Sequence, residues 1–266
     1  MAAPEHDTPE ADPLAPVRPH DALTLDELAT HYNFRLTSDR RSLFVRCILE
    51  FLTARPEPRA ALDIGCGEGL GQSGAFLTPI RDAVADLQGL EPDPNVEVDD
   101  RFDRVERALM EDADLPENHF DVAYAMLVME HVADPERFMA AVHRCLKPGG
   151  AFLFLTPNRR HYFTVIAHAA KRLGIAETAL RLVRPAAAVD DYHYPVVYRF
   201  NRPEDILPIV EPLGFTTSTF AYVEEEGPRP YFPGPLRPLY LLMRKKRELI
   251  RTPNRLLDLV GRLEKA

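Results

Sequence analysis

Ala60-Ala-Leu-Asp-Ile-Gly-Cys-Gly-Glu-Gly-Leu-Gly-Gln72 decides how this chain is to be read. Small and β-compatible apolar residues run unbroken from Ala60 to Ile64, between turn signals at Pro56 and Pro58 and the first glycine. That pattern reads as a short buried strand. Glycines then alternate at 65, 67, 69 and 71, where the missing Cβ atoms let the backbone turn sharply and lie flat against a ligand. Asp63, one residue before the strand ends, falls at the carboxyl edge of a sheet, the side on which open α/β folds bind ligands.

The glycines alone support more than one chemistry. Gly69-Leu-Gly-Gln-Ser-Gly74 fits the dinucleotide pattern G-x-G-x-x-G, with Glu91 about 20 residues further on in the place of a ribose-binding acid. On that reading the protein is an NAD-dependent oxidoreductase. Its register is poor, because such a turn starts directly off the strand and here Gly65-Cys-Gly67-Glu intervene.

Bulk properties narrow the classes. The chain has 266 residues and a 45% hydrophobic content, enough for one α/β domain with insertions or tails. A net charge of −9 excludes nucleic-acid binding by bulk attraction. Three widely spaced cysteines, Cys47, Cys66 and Cys145, have no metal-ligand spacing, and no cluster implies a metal. They suit reduced thiols in a cytoplasmic protein. No apolar run approaches the ~20 residues of a membrane span.

Outward from the glycines, residues 1–20 read as a disordered, proline-rich leader. Residues 21–58 read as covering helices. The first, between Leu23 and Phe34, has Thr24 and Glu27 spaced as a capping box; the second covers about Ser38 to Leu52. After the glycine loop, Gln72 to Leu77 should open a helix. Asp86 to Glu91 reads as a second strand ending in an acid, and Arg104 to Met110 as a weak third. Phe120-Asp121 introduces a central strand, Val122 to Leu127, with the continuous apolar character of a strand buried on both faces. Asp134-Pro135 starts a helix, with Asp as cap and Pro at the first position. Lys147-Pro-Gly-Gly150 stops it before a fifth strand, Ala151 to Leu155. Leu213-Gly-Phe215 ends another helix and opens a strand to Val223.

The string from Asp63 to Gly69, the acid closing the second strand, Glu111-Asp-Ala-Asp-Leu-Pro116, Met129-Glu-His-Val132 and Leu146-Lys-Pro-Gly-Gly150 together resemble the class I S-adenosylmethionine-dependent methyltransferases. The broad group that includes ubiquinone- and menaquinone-pathway enzymes is the most similar. The resemblance covers roughly Ala60 to Asn158 and continues more loosely to Tyr222. It implies a doubly wound, mostly parallel seven-stranded sheet, a Rossmann-like α/β fold spanning residues 59–235, with a helical insertion at 158–201 after the fifth strand.

The resemblance also implies site residues. Asp63, Gly65, Cys66, Gly67 and Gln72 would hold the methionine end of the cofactor S-adenosyl-L-methionine, and Glu91, or Asp93 if the second strand ends later, its ribose. Glu111 or Asp112, with Ala113, would read the adenine, and Leu127 would line the cleft. Transfer to a hydroxyl needs its proton removed, so His131, His161 and His193 are candidate bases. Tyr32, as a lid, with Arg159, Tyr162 and Tyr198 form the candidate acceptor set. The expected acceptor is a small molecule or glycan, methylated on oxygen. A non-catalytic protein that only binds the cofactor, as scaffold or regulator, is the other alternative. The extension 236–266 leaves two readings open. Pro238 to Lys246 is either the antiparallel last strand or a basic amphipathic helix able to touch an anionic membrane surface weakly.

Overall fold

The computed structural model describes residues 23–30, 36–37, 39–67, 70, 74–161, 195–225 and 256–266, together with helical positions 238, 241, 242, 245, 246 and 249. The elements in chain order are α1 (Leu25–Thr30), β1 (Leu36–Thr37), α2 (Arg40–Thr53), β2 (Ala60–Ile64), α3 (Thr78–Ala83) and β3 (Asp86–Leu90). Then come β4 (Arg104–Glu106), β5 (Phe120–Met126), α4 (Pro135–Cys145), β6 (Leu146–Pro157), α5 (Pro203–Leu213), β7 (Phe215–Glu225) and β8 (Asp258–Lys265). They build one sheet in the order β1-β7-β8-β6-β5-β2-β3-β4. Every pairing is parallel except those of β8, which runs antiparallel between β6 and β7. The mostly parallel sheet of seven strands is as the sequence implies, and β1 adds two residues at its edge.

Period-2 alternation sends each strand's side chains into two separate cores. Leu62 and Ile64 of β2, Ala123 and Ala125 of β5, and Phe152 and Phe154 of β6 face the layer of α4 and α5, meeting Phe138, Val142, Ile206 and Val210. Ala61, Val122, Tyr124, Leu153 and Leu155 face the opposite layer, where Phe44, Ile48, Leu52 and Ile80 cover them. Asp63 alternates with Leu62 and Ile64, and so belongs to the α2 side.

Local signals set the helix ends. Thr24 and Glu27 form the reciprocal capping box: Glu27 N donates to Thr24 Oγ1 (3.2 Å) and Thr24 N to Glu27 Oε2 (2.8 Å). Asp39 caps α2, accepting from Ser42 N at 3.0 Å, and Asp134 caps α4, accepting from Arg137 N at 3.1 Å. Gly214 ends α5 at φ +101°, a left-handed cap that favours glycine. At the amino edge, Asp121 accepts from Ala60 N (2.8 Å) and Lys147 Nζ (2.7 Å), holding the starts of three neighbouring strands together.

The structure departs from the sequence reading in three places and settles a choice left open in a fourth. The helix after the glycine loop starts at Thr78, because Gly74 to Leu77 still form a turn and Gly74 sits at φ +62°. The third strand ends at Glu106, and Met110–Asp112 form a 3-10 turn instead. Strand β6 is already paired at Leu146, opposite Phe120, where the sequence suggests a stop and a later start. Of the two readings of Pro238 to Lys246, the described positions agree with the helix, and the last strand lies further on, at Asp258–Lys265. The charged end of β8 hides it in the sequence. Its charges find partners: Lys265 Nζ donates to Asn118 Oδ1 and to the carbonyls of His143 and Leu146 at 2.8–2.9 Å, and Arg262 pairs with Asp26 at 2.9 Å. The leader, Tyr32, Gln72, Tyr162, most of the expected helical insertion, and His193 lie outside the described residues.

Candidate active site

Strand β2 has β3 on one side and β5 on the other, so the connections leave it in opposite directions and open a crevice at its carboxyl end. A cavity of about 420 Å³ occupies that place. Ile64 and Gly65 line its floor, Leu90, Glu91 and Pro92 one wall, and Ala108 to Glu111 the next. Met126 to Val128 and His131 to Ala133 close the third side, with Phe138 and Pro195.

The glycine turn is shaped by its neighbours. Gly65 N and Cys66 N both donate to Leu90 O, at 2.7 and 3.0 Å, folding the chain across the end of β3. Gly65 sits at φ +74°, and a Cβ there would stand 2.6 Å from Val128 Cγ2, so only glycine fits between β2 and the loop after β5. Gly67 N donates to Glu91 Oε2 at 3.3 Å, and Asp93 N to Glu91 Oε1 at 3.0 Å. The acid that ends β3 therefore already ties two loops together. Leu127 holds φ +60° with its N–H on Leu155 O (2.8 Å), a left-handed residue where β5 turns into the cavity wall.

Asp63 is 1% exposed. Its register partner across β5 is Tyr124, itself fully buried. Neither Asp63 Oδ2 nor the Tyr124 hydroxyl has a partner of normal hydrogen-bond geometry among the described residues. Burial pushes the Asp63 carboxyl up to about 8; the adjacent phenol opposes that shift and the charge of Glu91 adds to it. Burial likewise raises the Cys66 thiol far above its ordinary value, with Asp63 and Glu91 adding to the shift. Cys66 is thus a packing residue rather than a nucleophile.

The two candidates for the adenine, Glu111 and Asp112, separate cleanly. Glu111 lines the cavity, whereas Asp112 turns outward and pairs with Arg137 of α4 at 2.9 Å. Ala113 is buried in the core, and its carbonyl accepts from Arg144 (3.3 Å). Of the three histidines, His131 lines the cavity, with Nδ1 3.4 Å from Pro195 O. His161 does not line it: the turn from Asn158, closed by His161 N donating to Asn158 O at 3.0 Å, leaves the residue 2% exposed. Arg159 donates to Tyr198 O at 3.1 Å, and Tyr198 N donates to Glu130 O, also at 3.1 Å. Neither Arg159 nor Tyr198 lines the cavity.

Beside the cavity lies a buried polar chain that the sequence reading leaves unassigned. Thr156 Oγ1 donates to Glu130 Oε2 at 3.1 Å, and Asn201 Nδ2 donates to Thr156 Oγ1. Glu130 O accepts from Val197 N (2.8 Å) as well as Tyr198 N. Burial pushes Glu130 up to about 7, partly offset by its hydrogen bonds. A glutamate inside an apolar run directly after a strand, Met129-Glu-His-Val132, is the signal that could have marked it.

This donor set fits S-adenosylmethionine. A cationic group suits the unsatisfied Asp63 carboxylate behind the glycine turn. Two ribose hydroxyls suit Glu91, and at Gly65 the turn has no room for a side chain.

Comparison with known proteins agrees. Residues 31–201 match the family model of a methyltransferase domain. Over 123 residues the chain is 40% identical to a ubiquinone biosynthesis O-methyltransferase of Xanthomonas axonopodis pv. citri, covering 42% of this chain and 49% of that protein. Over 161 residues it is 31% identical to the Erwinia tasmaniensis protein of the same name, covering 56% and 58%. The chain spans about half the length of the curated relatives it matches. Among solved structures, a SAM-dependent methyltransferase from Archaeoglobus fulgidus is similar in fold, with a TM-score of 0.50 at 16% identity over 85% of this chain and 94% of that one.

Proposed function

The chain belongs to the S-adenosylmethionine-dependent methyltransferases, and from that premise we propose that it methylates a hydroxyl oxygen of a small acceptor with a flat apolar face, a phenol rather than a glycan. The observation that carries this reading is the placement of His131 on a cavity wall otherwise built from Leu109, Met126, Leu127, Val128, Val132 and Pro195. Such a wall favours a ring over a polyhydroxylated sugar, whose hydroxyls would lose water without gaining partners. The O-methyltransferase relatives support the choice of oxygen.

Bound in the cleft, S-adenosylmethionine supplies a methyl group on a sulfonium, open to in-line displacement. Glu91 would accept from both ribose hydroxyls and Glu111 would face the adenine. Asp63 would lie behind the glycine turn as the counter-charge to the cationic methionine end. His131 would act on the acceptor. With Nδ1–H donated to Pro195 O, the lone pair stays on Nε2. There it takes the acceptor's hydroxyl proton as the oxygen attacks. The Leu127 turn and the apolar wall would keep the acceptor in line and water out.

The test is transfer of labelled methyl to a panel of phenols, amines and oligosaccharides, with His131→Gln beside wild type. Phenol methylation is expected, and in His131→Gln a kcat lower by about 10²–10⁴-fold with cofactor affinity unchanged. Transfer confined to amines or sugars would contradict the acceptor reading. Cofactor binding with no transfer to any acceptor would favour the non-catalytic alternative. The oxidoreductase reading of Gly69 to Gly74 is set aside by the family match.

A further inference from the structure

Residues 195–201 carry the chain from Pro195, on the cavity wall, to the start of α5, and they are gripped along the way. Val197 N and Tyr198 N both donate to Glu130 O, at 2.8 and 3.1 Å. Arg199 Nη1 donates to Ala133 O at 2.9 Å, and Arg159 Nη1 to Tyr198 O at 3.1 Å. Tyr198 sits at φ +50°, a left-handed conformation that a residue other than glycine keeps only where its surroundings impose it. This strap supplies the carbonyl, Pro195 O, that lies 3.4 Å from His131 Nδ1. A contact that long is near its limit, so a small shift of the strap decides whether it forms.

The far end of the strap is fixed by side chains. Asn201 Nδ2 donates to Thr156 Oγ1 at the carboxyl end of β6, and Thr156 Oγ1 donates to Glu130 Oε2 at 3.1 Å. Thr156 and Asn201 are fully buried, and Glu130 is 3% exposed. The same glutamate thus holds the strap twice, through its carbonyl near the middle and through Thr156 at the end. Burying a carboxylate is costly, and a packed apolar side chain would serve better here if filling space were the whole task. Thr156 is the joint. Its hydroxyl donates one way and accepts the other, which valine, of the same shape, cannot do.

We infer that Thr156 is a positioning residue for methyl transfer: by joining Glu130 to Asn201, it holds the strap where the Pro195 carbonyl keeps His131 protonated at Nδ1 and open at Nε2. The inference rests on His131 as the base that takes the acceptor's proton. Without the link the end of the strap is released, Pro195 O leaves hydrogen-bond reach, and the imidazole divides between its two tautomers. The form with its proton on Nε2 cannot accept another there.

The test reads the ring by nitrogen NMR of protein with isotope-labelled histidine at about pH 8, where an ordinary imidazole is neutral. His131 is assigned by its absence from the spectrum of His131→Gln. Wild type should show Nδ1 protonated and Nε2 bare. Thr156→Val should show the two forms mixed, and Thr156→Ser, which keeps the hydroxyl, should restore the wild-type pattern. Unchanged affinity for S-adenosylmethionine shows that each variant is folded. Asn201→Ala cuts the same link at its other end and should reproduce the mixture if Thr156→Val does not fold. With phenol as acceptor, Thr156→Val should lower kcat about tenfold or more in the wild-type background and less than about twofold in His131→Gln. Wild type protonated at Nε2 would overturn the inference with no acceptor needed. So would Thr156→Val with the wild-type tautomer, or with the same proportional loss of kcat in both backgrounds, which a merely structural role predicts. Undiminished kcat in His131→Gln would contradict the base assignment and the inference with it. A loss in His131→Gln that Thr156→Val does not share would contradict the inference alone.

Discussion

The carboxyl ends of β2 and β3 carry the same chemistry in opposite states. Glu91, after β3, accepts hydrogen bonds from two backbone amides, Gly67 N and Asp93 N, and so helps build the loop around it. Asp63, within β2, lies one strand away and is buried still more deeply. Yet its Oδ2 has no donor of normal hydrogen-bond geometry among the described residues, the Tyr124 phenol beside it only partly offsets the cost, and burial holds the carboxyl near 8. A backbone-satisfied acid is part of the scaffold. An unsatisfied one is costly until something positive arrives. The difference separates the group that shapes the cleft from the group whose charge waits for the ligand.

The sharpest way to break this contrast is Asp63→Asn, which keeps the shape and removes the charge. The folded pKa of Asp63, about 8, lies above the ordinary unfolded value of about 3.9. Its neutral form therefore contributes fully to stability below about pH 4, and that contribution is lost as pH rises towards 8. Asparagine, neutral throughout, should stabilise the ligand-free protein by about 2–4 kcal/mol at pH 8 and by little at pH 4. Chemical denaturation at the two pH values measures it. The same substitution should weaken cofactor binding about a hundredfold, so stability and affinity move in opposite directions.

Gly65→Ala comes next. It forces a side chain to φ +74° against Val128 Cγ2. A loss of about 1–3 kcal/mol, with weaker cofactor binding, should appear in thermal and calorimetric titrations. Glu91→Ala should act in the opposite sense to Asp63→Asn. It removes the acceptor of two amides and should cost about 1–2 kcal/mol of stability as well as about tenfold in affinity. If Glu91→Ala stabilised the free protein, the two acids would not differ as described. The smallest effect belongs to Glu130→Gln. Glu130 sits near 7, so its penalty also grows with rising pH, and glutamine should gain about 1 kcal/mol above pH 7 and nothing below about pH 4.

Much of the cleft was legible because its signals are local. The Asp63-to-Gly67 string, the capping pairs Thr24 with Glu27 and Asp134 with Pro135, and the buried run of β5 each carry their cause within a few residues. The sequence reading went astray where partners are distant. Asp112 and Glu111 are equivalent on paper until Arg137, 25 residues on, draws Asp112 outward. Strand β8 looks too polar to be a strand until the carbonyls that receive Lys265 are known. Tyr124 stands against Asp63 only through strand register, and Glu130 meets Thr156 only when β5 and β6 lie side by side. His161 resembled His131 as a candidate base, and the turn at Asn158 buried it instead.

The most direct test is proton-linked calorimetry. Titrating the protein with S-adenosylmethionine at pH 7 in two buffers of different ionisation enthalpy counts the protons released on binding. If Asp63 is protonated in the free protein and ionised beside the cationic cofactor, wild type should release close to one proton more than Asp63→Asn. Equal proton release from the two proteins would contradict the account and leave Asp63 as a buried residue with no charge to offer.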